Sequence, residues 1–145
     1  MTITVEFSAD TYDDLFKDVL DQYPTLGKNL LEDFRNYIAS NRNILPDYFG
    51  RDTSYTQPYE AFIACLMHIH IAIPPLVFPK NKPRYDRTCP GDPAKDAALV
   101  YVNGLLDEDH YVLIALLHPG AHSRARNEKV MKRLAAVARD FRDTH

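Results

Sequence analysis

At 145 residues, with 46% apolar and 26% charged side chains, the chain fits one ordinary globular domain spanning 1–145, which excludes a disordered, collagen-like or low-complexity protein. The net charge of −3 argues against a general nucleic-acid binder, but the charge is uneven: residues 1–60 carry 5 basic and 11 acidic side chains, 61–117 carry 5 and 6, and 118–145 carry 7 and 3. A basic end of this kind points to an anionic partner there, or to a solvated helix face.

Residues 3–8 (ITVEFS) alternate apolar and polar, the pattern of a short strand. Asp10 or Thr11 then caps a helix with Asp13 and Asp14 in its first turn, and Pro24 ends it. A second helix starts near Thr25, with Leu30, Leu31, Phe34 and Ile38 on one side. Residues 44–58 are rich in turn formers and aromatics and read as an irregular connection. From Tyr59 the chain is apolar without helix caps, and 66–73 reads as a strand stopped by Pro74 and Pro75. The breaker-rich stretch 74–96 reads as a long loop, and long loops are usually functional or mobile. Residues 97–103 and 110–118 read as two strands joined by a turn, and a last helix runs from about Arg126 to Arg142. The order β-α-α-β-β-β-α predicts an α+β domain, an antiparallel sheet packed on helices.

Cysteine occurs twice, at Cys65 and Cys89. Cys65 lies in an apolar run and reads as a buried free thiol, so no disulfide framework is expected. No apolar stretch is long enough to span a bilayer, and MTITVEFSAD has no signal-peptide pattern, so a cytoplasmic protein without membrane contact is expected.

His68 and His70 share one strand face, because residues i and i+2 point the same way. Met67, Ile69, Ile71 and Ile73 take the other face as core, leaving the imidazoles on a more open one. Such a pair suits proton transfer near neutrality, two ligands of a metal, or two structural histidines. The segment HPGAHSRAR (118–126) sets His118 and His122 at a strand-to-helix junction, where backbone N–H groups offer a positive pole to a phosphate. Arg124, Arg126, Lys129 and Arg133 extend that field along the last helix as candidate RNA contacts. Gly50-Arg51-Asp52 offers a phosphate clamp in Arg51 and a histidine-orienting carboxylate in Asp52, or a plain turn. Tyr48, Phe49, Tyr55 and Tyr59 can stack on bases or anchor the loop. Tyr101 shares a face with the histidines if its strand is their neighbour. With five glycines and no phosphate-cradling, dinucleotide or nucleophile-elbow motif, a nucleotide cofactor is not expected. Acid/base groups plus arginines fit metal-free phosphodiester cleavage.

The segments LPDYFGRD (45–52), HIHIA (68–72), LVY (99–101), DE (107–108) and LIALLHPGAHSRARN (113–127), with Met131, Ala138, Phe141 and Arg142, resemble the YafO family of type II toxin–antitoxin toxins. The resemblance covers roughly 44–142. It implies a small RelE/ParE-like fold and an endoribonuclease that cleaves mRNA on the ribosome and is inhibited by a cognate antitoxin. By that analogy His70 and His122 are the catalytic pair, with His68 beside them; His70 is taken as base and His122 as acid, and the sequence does not fix that direction. Arg51 and Arg126 stabilise phosphoryl charge, and Asp52 and Tyr101 support. The alternatives are a toxin of the same fold that inhibits a protein by binding it, and a metal phosphodiesterase using His68, His70 and His122.

Overall fold

The computed structural model describes residues 2–88 and 93–145. The elements run β1 (Thr4–Phe7), α1 (Tyr12–Leu15), α2 (Lys17–Gln22), α3 (Pro24–Ala39), β2 (Phe49–Ser54), α4 (Tyr59–Ile63), β3 (Met67–Ile71), β4 (Ala98–Asn103), β5 (His110–Leu117), α5 (Ala121–Ala125) and α6 (Glu128–Thr144). The strands form one sheet in the order β1-β5-β4-β3-β2. The α+β class is as expected, but the sheet is mixed and five-stranded rather than antiparallel and four-stranded. β1 runs parallel to β5, and the other neighbours pair antiparallel. Parallel neighbours need a long connection, and α1 to β4 supply it.

The extra strand is β2, inside the stretch read as irregular. FGRDTS lacks alternation, and its register slips between Phe49 and Asp52. Its extended state comes from pairing with β3, not from local preference. Its outer edge is covered, as exposed edges usually are. Arg51 N donates to Arg87 O across it at 2.9 Å. A Cβ on Gly50 would lie 2.2 Å from that same carbonyl oxygen, so only glycine lets the two backbones meet.

Three helix readings are also corrected. The first helix is broken at Phe16 (φ −127°) into α1 and α2. Thr11 stands at the cap position, but its hydroxyl donates to Ile114 O and ties α1 to β5 instead. Tyr59–Ile63 is helical, too short to show a period. The last helix, α6 from Glu128, stands as expected, capped by Asn127, whose side chain accepts from Val130 N, but a further short helix, α5, precedes it.

Both faces of the sheet are covered. On one, Phe16, Leu20, Leu30, Phe34 and Tyr37 pack on Ile69, Ile71, Leu99, Tyr101 and Leu113. On the other, Met131, Leu134, Ala135 and Ala138 of α6 pack on Val100, Val102, Val112 and Ile114. The face carrying the histidines is therefore not open in general, and His70 is only 7% exposed. Among the described residues no helix is long and apolar enough to cross a membrane. Cys65 is exposed, at a left-handed turn (φ 59°) between α4 and β3 that points it away from the core. Cys89 lies outside the described residues.

The described part of the loop after β3 is packed. Phe78 and Arg87 are buried, and the Arg87 guanidinium donates to Lys82 O and Lys80 O.

Asp52 and Tyr101 lie on the face away from the histidines, which corrects both expectations. Cross-strand partners share a face: Met67 stands opposite Tyr101, and His68 opposite Val100. Asp52 pairs with Ile69 and follows it into the aromatic core. There Tyr37 and Tyr101 each donate to its carboxylate at 2.7 Å, and Arg42 Nε lies 3.1 Å away. Burial, then the Asp52 charge, raises both phenols above their ordinary range, so they stay protonated donors. Asp52→Ala strands both hydroxyls. At roughly 1–3 kcal/mol per unsatisfied buried group, denaturant unfolding should show a loss on the order of 2–4 kcal/mol.

Candidate active site

β3 carries the histidine pair on its α6-facing side. The ring centroids of His68 and His70 are 5.6 Å apart, and those of His70 and His122 are 5.8 Å apart. Tyr55 stacks on His68 at 3.9 Å with an interplanar angle of 12°. These rings line an open cavity of about 260 Å³. Ser54, Thr56 and Gln57 contribute to it from the end of β2, and Ala98, Ala121 and Ala125 from the other elements. The alanines lack the bulk that would fill it.

His122 reaches the cavity because the chain turns sharply after β5. Gly120 has φ 72° and ψ 40°, a left-handed conformation that glycine adopts without strain. α5 then presents the ring, with its side chain 60% exposed. His122 N and Nδ1 both lie 2.6 Å from Asp96 Oδ2. An ionised carboxylate only accepts, so Nδ1 donates. The N–H expected to offer a positive pole to a phosphate is met instead by this carboxylate, which is 5% exposed. His118 Nδ1 lies 3.3 Å from the Asp96 carbonyl oxygen, on the same side of the loop.

Burial first, then the charges of His70, Arg51 and His122, lower the His68 pKa to about 4. Burial also lowers that of His70, helped by His122 and Arg51 and opposed by Asp96. Nδ1 of each has no hydrogen-bond partner among the described residues, so no bond at that atom offsets the cost of burying a charged ring. Both rings are neutral at pH 7 and can take a proton. Burial, then Asp96, pushes the Tyr55 hydroxyl upward, so it acts as a donor rather than a base.

The structure thus unites His68, His70 and His122, with the Arg51 charge close enough to act on the first two. Asp52 and Tyr101 are not part of this group. Arg126 is exposed at the end of α5 and lines a neighbouring depression with Gln57, Pro58 and Glu128. Lys129 is exposed and Arg124 half-buried. Arg133 is engaged elsewhere: its guanidinium holds Asp14 at 2.6 Å and the Asp10 carbonyl, tying α6 to α1. Of the aromatics, Phe49 and Tyr48 anchor the connection to the core and Tyr55 packs on His68, while Tyr59 is exposed on α4. Among the described residues no three His, Cys, Asp or Glu side chains are arranged to hold a metal ion. Sequence reasoning missed Asp96. It lies 26 residues before His122, and the only signal was that loops of this length are often functional.

The family model described as "Toxin YafO, type II toxin-antitoxin system" matches residues 35–143, a span that holds all three cavity histidines, Arg51 and Asp96. Over 117 residues the chain is 36% identical to the mRNA interferase toxin YafO of Escherichia coli (strain K12), covering 78% of this chain and 83% of that protein. No solved structure matches.

The lowered His68 pKa has a definite sign for stability. Between about 4 and 6.5 the unfolded chain binds the proton and the folded one does not. Stability contributed by neutral His68 is therefore present above pH 6.5 and is lost as pH falls toward 4. Proton NMR of the imidazole C–H resonances should show His68 titrating near 4, and a His68 that titrates at 6.5 contradicts the buried, uncompensated ring.

Proposed function

Since the chain belongs to the YafO family of type II toxin–antitoxin toxins, we propose that it is a metal-independent endoribonuclease that cleaves translated mRNA on the ribosome. The observation that carries this reading is the row of three imidazoles at one cavity, with burial holding two of them neutral. The order of strand, helices, antiparallel strands and closing helix supports a RelE/ParE-like domain. The partners are a cognate antitoxin, the ribosome and mRNA, in the cytoplasm.

His70 serves as base and takes the ribose 2′-OH proton. The freed oxygen bonds to the adjacent phosphorus as the P–O5′ bond breaks. His122, as imidazolium, gives its Nε2 proton to the departing O5′. The products are a 2′,3′-cyclic phosphate and a 5′-hydroxyl. A neutral buried ring suits the first task. An exposed ring held at Nδ1 by a carboxylate suits the second, because Nε2 is left to face the leaving oxygen. Arg51 stabilises charge growing on the phosphoryl oxygens, and His68 sets the floor beside His70. Arg124, Arg126 and Lys129 hold the RNA backbone or the ribosome at the cavity's rim.

Charge supports ribosome dependence. A chain of net charge −3 attracts free RNA weakly. Docked on a platform that presents the message in fixed orientation, it gains what positioning supplies, up to roughly 7–11 kcal/mol of barrier. Purified protein should therefore cut a transcript during translation and leave the same naked transcript largely intact. His70→Ala, folded by circular dichroism, should lose about 10²–10⁴-fold in rate. Equal cutting of naked RNA contradicts the ribosome's role, and full activity in His70→Ala contradicts the site.

A further inference from the structure

The proline-rich loop between β3 and β4 ends in a carboxylate that no family resemblance assigned and no spacing revealed. Asp96 is 3% exposed, and its Oδ2 receives both the backbone N–H and the ring Nδ1 of His122 at 2.6 Å. We propose that Asp96 is the positioning residue of this site, which holds His122 in the one tautomer and orientation that aim Nε2 at the cavity. This rests on reading His122 as the acid of the ribonuclease reaction.

Two contacts from one oxygen fix one residue twice. The backbone contact fixes where α5 begins, and the ring contact restricts rotation of a side chain that is otherwise 60% exposed. An exposed imidazole without such a contact samples several rotamers and both neutral tautomers. The carboxylate accepts only, so the neutral ring keeps its hydrogen on Nδ1 and its lone pair on Nε2. When Nε2 carries the second proton, the ring is an imidazolium against a buried anion, and giving that proton to O5′ returns the same tautomer. Each turnover thus starts and ends with Nε2 as the working atom. Asp96 itself touches neither substrate nor reacting atoms. The carboxylate is buried, and the polypeptide enters β4 directly after Asp96 and Ala97.

The test combines a spectrum with a conservative substitution. In protein labelled with ¹⁵N-histidine, the neutral His122 ring of the wild type should show Nδ1 protonated and Nε2 bare. In Asp96→Asn the amide can present N–H to Nδ1, so the signal should shift toward the Nε2-protonated tautomer. Cleavage of translated mRNA should fall by about 10²–10⁴-fold while ribosome co-sedimentation is retained. A wild-type ring protonated on Nε2 overturns the proposal, and so does a folded Asp96→Asn cleaving within about twofold of wild type. Should Asp96→Asn fail to fold, the wild-type spectrum decides alone. His122→Ala separates the two levels. Its inactivity beside an active Asp96→Asn removes only the positioning role, whereas full cleavage by His122→Ala removes the histidine mechanism with it.

Discussion

Strand β3 is buried from both sides, and its period of two decides which residues meet. Ile69 and Ile71 enter the aromatic core under α1 to α3, so His68 and His70 must enter the face under α5 and α6. Burying each isoleucine stabilises the fold by roughly 1.5–3 kcal/mol. A one-residue slip would exchange the two sets, stranding imidazoles among aromatic rings and moving both isoleucines to the cavity face. The register is therefore set by hydrophobic burial, and the chemistry inherits it. The same parity sends Tyr101 and Asp52 away from the histidines, where they link with Tyr37 and Arg42 to hold α3 on the sheet.

Burial on that second face gives the histidines their properties. Desolvation outweighs every pairwise charge acting on His68 and His70, and leaves both as neutral bases. His122 differs because it comes from a turn beyond the sheet. It is open to solvent on one side and bound to a buried carboxylate on the other. Three side chains of one type thus meet two environments, two of them buried and one exposed against a carboxylate. The net acidity of the chain is consistent with this layout. Its acidic half builds α1 to α3, and Asp14 of α1 engages Arg133 of α6.

Much of this was legible in the residues. The alternation of MHIHI placed the histidines together and their neighbours in the core, because a strand's parity is a local property. HPGAHSRAR marked a strand-to-helix junction, because proline and glycine punctuate the chain wherever they stand. β2 was not legible: FGRDTS becomes a strand through pairing with β3 and through the close approach of Arg87 to Gly50, both long-range contacts. The face of Tyr101 depended on cross-strand register, which no single segment encodes. Asp96 was hidden for the same reason. A carboxylate in DPAKD looks like any solvated loop residue until the loop folds back on α5. Cys65 misled because an apolar run was read without its left-handed turn.

Attack by the message's own 2′-hydroxyl, with histidines moving the protons, can be read on the substrate. A messenger is prepared with one 2′-deoxynucleotide at a mapped cleavage position, on the 5′ side of the scissile phosphate, and translated in the presence of the purified protein. With that mechanism cutting disappears at the modified position and persists at unmodified ones, leaving 2′,3′-cyclic phosphate and 5′-hydroxyl ends. Undiminished cutting at the deoxy position, or ends bearing a 5′-phosphate, would contradict it, because the attacking oxygen would then have come from water.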